Sequence, residues 1–100
     1  MIYLIELHPI AQKELQESYL WYEDRLEGLG QRFIAAVEKS FSKISLMPDV
    51  YAIRKDNFRE VLVNGFPFVI VFEKLEKDKT VIISSIFHSK RSPKLKYKRR

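Results

Sequence analysis

FREVLVNGFPFVIVFE, residues 58–73, decides how this chain folds. Two apolar, β-branched and aromatic runs flank Asn64-Gly65. Asn-Gly between such runs is the strongest short-range signal for a β-hairpin, because both residues accept the positive φ of a tight turn. The second run, Phe68 to Phe72, is apolar at both parities. A strand with that pattern has no wet face, so it is predicted to lie inside a sheet covered on both sides.

Further strands extend the hairpin in both directions. TVIISSIFH (80–88) follows after EKDK (76–79), and VYAIR (50–54) precedes it with KDN (55–57) between. Consecutive hairpins of this kind make an antiparallel meander. MIYLIEL (1–7) is apolar and β-branched, and reads as a first strand that joins the same sheet from the far end of the chain.

Between the first strand and the meander the period is helical. Pro9 is suited to opening a helix. In IAQKELQESYLWYEDRLEG (10–28), Ala11, Leu15, Ser18, Tyr19, Tyr22 and Leu26 fall on one arc when advanced by roughly 100° per residue. Gly28 and Gly30 then punctuate the chain. A second helix, 31–46, carries Phe33, Val37, Phe41 and Ile44 on one stripe and stops at Met47-Pro48. So short a link predicts an antiparallel helical hairpin. The fold class is α+β: an N-terminal strand, a two-helix hairpin, then a β-meander, all in one sheet.

One hundred residues make one domain with one modest core. With 46% apolar and 13% aromatic residues the body is expected to fold. No cysteine is present, which excludes disulfides and thiolate metal sites. The N-terminus lacks the basic and long apolar regions of a secretion signal. No apolar run approaches the roughly 20 residues that span a bilayer. A cytoplasmic protein with no membrane partner is expected.

Charge divides the chain at its last strand. Residues 90–100 hold 7 of the 18 basic residues and no acid, whereas residues 1–89 hold 11 basic residues against 13 acids, a net of −2. The division suggests a domain over 1–89 and a basic tail over 90–100. Such a tail either attracts a polyanion or an acidic partner, or simply keeps the protein soluble.

Most catalytic constellations are absent. The three glycines form no phosphate loop, and His8 and His88 lie 80 residues apart, so neither a metal site nor a cofactor is expected. The strand-like runs carry few carboxylates, chiefly Glu60 and Glu73, which disfavours glycosidase-type pairs. A basic set remains: Arg54, Lys55, Arg59, His88, Lys90 and Arg91, with Lys94 and Tyr97 further on. Alternate strand ends of a meander share an edge, so these groups are expected to meet on one surface. Arginine and lysine grip phosphates and neutralise charge on a phosphorane. Histidine moves protons near neutral pH, and Tyr97 offers a ring for a base to stack on. The plainer readings are a solvated strand-end histidine and an Arg59 on the wet side of its strand. On the first helix, Leu20 projects opposite the main arc and Trp21 lies on its flank. They are read first as packing on the second helix, and second as a partner groove.

The order of elements resembles the RelE/ParE superfamily of bacterial type II toxins, over nearly the whole chain. WYEDRLEGLGQRFIAAVE (21–38) with Pro48, FREVLVNGFPFVIVFE (58–73) and ISSIFHSKRSPK (83–94) carry the resemblance together. It implies a small basic toxin that inhibits growth, of the kind linked to plasmid stabilisation, held inactive by a cognate antitoxin, as a homodimer or a toxin–antitoxin hetero-oligomer. RelE-like members cleave mRNA on the ribosome; ParE-like members inhibit DNA gyrase without nuclease chemistry. On this resemblance Arg59, His88 and Arg91 are the catalytic set if the chain is a nuclease. Arg54, Lys55, Lys90, Lys94 and Tyr97 would contact the target, and Leu20 and Trp21 the antitoxin. LGQRF (29–33) resembles the ParE-type members, which makes gyrase inhibition the first reading, mRNA cleavage the second and a non-toxic basic binding module the third.

Overall fold

In the computed structural model, which describes residues 2–90, a short strand β1 (Leu4–Leu7) leads directly into helix α1 (Pro9–Arg25). Pro9 occupies the first turn, where its missing N–H costs nothing, and the Nδ1 of His8 accepts the N–H of Ile10 at 3.1 Å. After a three-residue link, α2 (Leu29–Leu46) runs back along α1. Its start is two residues earlier than the sequence suggested. Glu23 supplies the reason: its carboxylate accepts the N–H of Gly28 at 2.8 Å and of Gly30 at 2.9 Å. A helix N-terminus has unpaired N–H groups and a positive dipole end, so a carboxylate from the neighbouring helix satisfies both.

The remaining strands are β2 (Ile53–Lys55), β3 (Phe58–Leu62), β4 (Phe68–Leu75) and β5 (Thr80–His88). They form one sheet of order β1-β5-β4-β3-β2, in which β1 pairs parallel with β5 and every other pairing is antiparallel. VYAIR supplies less strand than expected. Pro48–Val50 is a 3-10 turn and only Ile53 onwards pairs. The Arg59 guanidinium takes the Tyr51 carbonyl at 2.7 Å and that of Asp49 at 3.4 Å, holding this stretch in a loop. Asn64-Gly65 does turn the β3–β4 hairpin. Gly65 adopts φ +86°, and the Val63 N–H closes a four-residue loop onto the Phe68 carbonyl at 2.9 Å.

Phe68 to Phe72 are all buried, as their unbroken apolarity requires of a strand between two neighbours. Phe68, Ile70 and Phe72 pack with Phe33, Val37 and Ile44 of α2 and Ala11 of α1 in the main core. Val69 and Val71 join Phe58 and Phe87 in a second cluster on the other face. The small Ala11 and Ser18 let α1 approach closely, and Glu14 then reaches β5 where the register shifts beside Ser85. There it accepts the Ser85 hydroxyl at 3.0 Å and the Ile86 N–H at 2.9 Å.

A polar network ties the opposite end of the sheet. Asp49 bridges Arg59 at 3.2 Å and Lys74 at 2.7 Å; Lys74 reaches Glu76 at 3.1 Å. Glu76 also pairs with Lys79 and accepts the Tyr3 hydroxyl at 2.8 Å. Hydrogen bonds from Lys79, then Tyr3 and Lys74, hold the Glu76 carboxyl at about 2, below its ordinary 4.5. A depressed carboxylate contributes stability above its unfolded value and loses it as pH falls. Glu76→Gln is therefore expected to lower the urea midpoint at pH 7, with the deficit closing between pH 4.5 and about 2. A deficit unchanged at pH 2 would count against this network.

Candidate partner-binding site

Where α1 passes the start of β4 and the end of β5, the surface sinks into a cavity of about 380 Å³ lined by Glu17, Ser18, Trp21, Tyr22, Phe68, His88 and Lys90. An aromatic chain runs from its lining into the core. Trp21 meets Tyr22 edge-on at 5.2 Å, Tyr22 meets Phe33 and Phe66 at the same spacing, and Phe33 lies 4.9 Å from Phe68. Phe68 in turn meets the His88 ring edge-on at 5.5 Å. Because Phe68 and His88 are register partners, the hairpin itself sets that last contact. The His88 Nδ1 accepts the Lys90 N–H at 3.2 Å, which in the neutral ring leaves the proton on Nε2.

The expected packing of Leu20 and Trp21 on α2 does not occur. They are 56% and 52% exposed, because α1 turns Ala11, Ser18 and Tyr22 inward and leaves this pair on its outer side. Arg25 stacks its guanidinium 3.4 Å from the Trp21 ring centre and donates to the Trp21 carbonyl at 3.3 Å. Trp21 thereby forms a wall between the cavity and a second depression lined by Glu17, Leu20, Glu23, Asp24 and Arg25.

The basic set does not meet on one surface. Arg59 lies opposite Phe72, whereas His88 lies opposite Phe68, four residues along the same strand. That places the two roughly 13 Å apart along the strands, with a further strand between them. Arg54 and Lys55 sit on β2 at the Arg59 end, and Lys90 stays with His88. The two are strand ends at opposite edges: Arg59 opens β3 at the end where β4 closes, and His88 pairs with the residue that opens β4. The Arg59 side chain is only 15% exposed and is engaged with Asp49 and Tyr51. Arg91, Lys94 and Tyr97 fall outside the described residues. Among the described residues no group of three or more His, Cys, Asp or Glu is placed to hold a metal.

The family profile of the ParE toxin of type II toxin–antitoxin systems, parDE, matches residues 5–93. This chain belongs to the ParE toxin family. It is therefore a toxin of the toxin–antitoxin kind, with an antitoxin as its partner. No curated protein sequence matches it. Among solved structures, a chain of the chromosomal ParDE system from P. aeruginosa superposes with a TM-score of 0.73 at 14% identity, covering 87% of this chain and 96% of the other. A mutant of the E. coli toxin RelE in the free state gives 0.69 at 14% identity, covering 90% and 86%. The isolated E. coli RelE toxin gives 0.69 at 15%, covering 91% and 88%. At such identities these likenesses establish the shared fold, a helical hairpin on a five-stranded mixed sheet. Among the described residues of this ParE-family chain, no helix is long and apolar enough to cross a membrane.

Proposed function

We propose that this ParE-family toxin acts in the cytoplasm by protein–protein contact, with DNA gyrase as its target, and that its antitoxin covers Leu20 and Trp21. The observation that favours contact over RNA cleavage is the division of the basic set. Arg59 is drawn onto Asp49 and Tyr51 at one end of the sheet, and His88 stands at the other. A cleavage site needs its proton-transfer and charge-neutralising groups within reach of one phosphate. Lys90 beside His88, followed in sequence by the basic tail over 90–100, suits an acidic surface on the target, while Arg54 and Lys55 would meet it separately from the other end of the sheet. An exposed tryptophan next to a leucine is the kind of anchor a partner buries.

Purified toxin, free of antitoxin, is expected to abolish supercoiling by gyrase in a dose-dependent manner. Full supercoiling at saturating toxin would sink the gyrase reading. If induction of the protein alone still arrested growth, primer extension on translated mRNA would then test cleavage. Cuts weakened by His88→Ala would favour the RelE-like alternative. Undisturbed growth on induction would favour a non-toxic binding module.

A further inference from the structure

Asn64-Gly65 turns the β3–β4 hairpin, yet the turn leaves two of its polar groups unused. Among the described residues neither the Asn64 carboxamide nor the Gly65 N–H has a hydrogen-bond partner. The loop is closed by its neighbours instead: Val63 N–H to the Phe68 carbonyl at 2.9 Å, and Phe66 N–H to the Val63 carbonyl at 3.4 Å. Both residues are exposed, and a Cβ added at Gly65 would meet nothing within 4 Å. Asparagine is among the chemically labile residues, and here an uncovered main-chain nitrogen follows an uncovered carboxamide. We propose that Asn64-Gly65 is a site of spontaneous covalent modification, a deamidation and isomerisation that lengthens this loop.

The Gly65 nitrogen attacks Cγ of Asn64, and the new N–C bond closes a cyclic imide. The carboxamide nitrogen leaves as ammonia, carrying the proton that the Gly65 N–H gives up. Water then opens the imide at either carbonyl. Opening at Cγ leaves aspartate; opening at the main-chain carbonyl leaves isoaspartate, in which the chain runs through the side chain and gains a methylene. Ring closure needs rotation about the Asn64 Cα–C bond, and the turn bond that resists it is the long one, at 3.4 Å. Glycine adds no Cβ to block the approach. Asn57, the other asparagine of the chain, is exposed as well, but it precedes Phe58. Phe58 is fully buried in β3 and register-paired with Glu73, so its main chain is fixed in the sheet. The lengthened loop has a definite consequence. Phe66 lies two residues on and meets Tyr22 at 5.2 Å and Phe33 at 5.3 Å, both edge-on. An extra methylene in so short a loop carries Phe66 off these rings and loosens the aromatic cluster of the core.

The reaction needs no partner, so its test is independent of the toxin's target and antitoxin. The full chain is incubated at neutral and at mildly alkaline pH, and its peptides are followed by mass spectrometry over days. The peptide holding Asn64 is expected to gain the mass of an amide exchanged for an acid, while the peptide holding Asn57 stays unchanged. Conversion runs faster at the higher pH, because the attacking nitrogen must lose its proton. The converted peptide also accepts a labelled methyl group from an isoaspartyl methyltransferase. Converted protein is expected to melt about 4–8 °C below fresh protein, the shift that loss of the Phe66 ring contacts brings in a domain of this size. Asn64→Gln resists conversion and keeps its melting temperature through the same incubation. Asn64→Asp carries the new charge without the extra methylene and melts close to fresh protein, which assigns the shift to the lengthened chain. An Asn64 that converts no faster than Asn57 overturns the proposal. So does isoaspartate formation that leaves the melting temperature unchanged.

Discussion

Replacing Phe33 with alanine is expected to destabilise the protein by about 4 kcal/mol, the largest effect of any single substitution considered. Phe33 is fully buried on α2 and meets Tyr22 of α1, Phe66 of the β3–β4 loop and Phe68 of β4 at ring spacings of 5.2, 5.3 and 4.9 Å. Truncation removes the ring's transfer energy and leaves a cavity bounded by three elements that cannot all close on it. For a domain of this length the melting temperature should fall by roughly 15–30 °C. The same truncation loosens the aromatic chain that leads to Trp21 and His88. Urea denaturation would decide the matter; a loss below about 1 kcal/mol would mean that the aromatic cluster is not a cooperative part of the core.

Gly30→Ala is expected to cost about 2–3 kcal/mol, although helix propensity taken alone favours alanine over glycine by about 1 kcal/mol. A Cβ at residue 30 would meet the Tyr19 carbonyl oxygen at 2.7 Å and both the Tyr19 ring and the Glu23 carboxylate at 2.8 Å. The carbonyl is backbone and cannot swing aside, so the two helices must part or the Glu23 cap must break. Gly28 and Gly65 provide the contrast. Each has φ +86° and open space around it, so alanine there brings backbone strain of about 1 kcal/mol and no collision. Chemical denaturation of the three variants should rank Gly30→Ala as the most damaging. An unchanged or higher midpoint for Gly30→Ala would show that the helices are not in the contact described.

These two residues also account for LGQRF, the segment whose resemblance pointed toward the ParE branch. Gly30 permits the close passage of α2 over α1, and Phe33 fills the space that the passage encloses. The helical hairpin was legible because its apolar stripes repeat at the helical period. The meander was legible because Asn64-Gly65 and the unbroken run over Phe68–Phe72 are local signals. The Glu23 cap was not legible. A carboxylate five and seven residues from the N–H groups it accepts has no fixed sequence spacing. The 3-10 turn over Pro48–Val50 has no local signal for a similar reason, since Arg59 holds it from a strand further along the chain.

The sequence by itself determined the order of elements and the central place of β4. Those follow from period, turn chemistry and short apolar runs, which act between neighbours in the chain. Only the tertiary structure decided which side chains share a surface. Strand register put His88 beside Phe68 and Arg59 beside Phe72, separating two groups that the linear order seemed to join. The rotation of α1 about its axis, set by Ala11 and Ser18 packing inward, turned Trp21 out between two depressions. Register and rotation are fixed by the sum of contacts across the whole core, so no local stretch of sequence contains them.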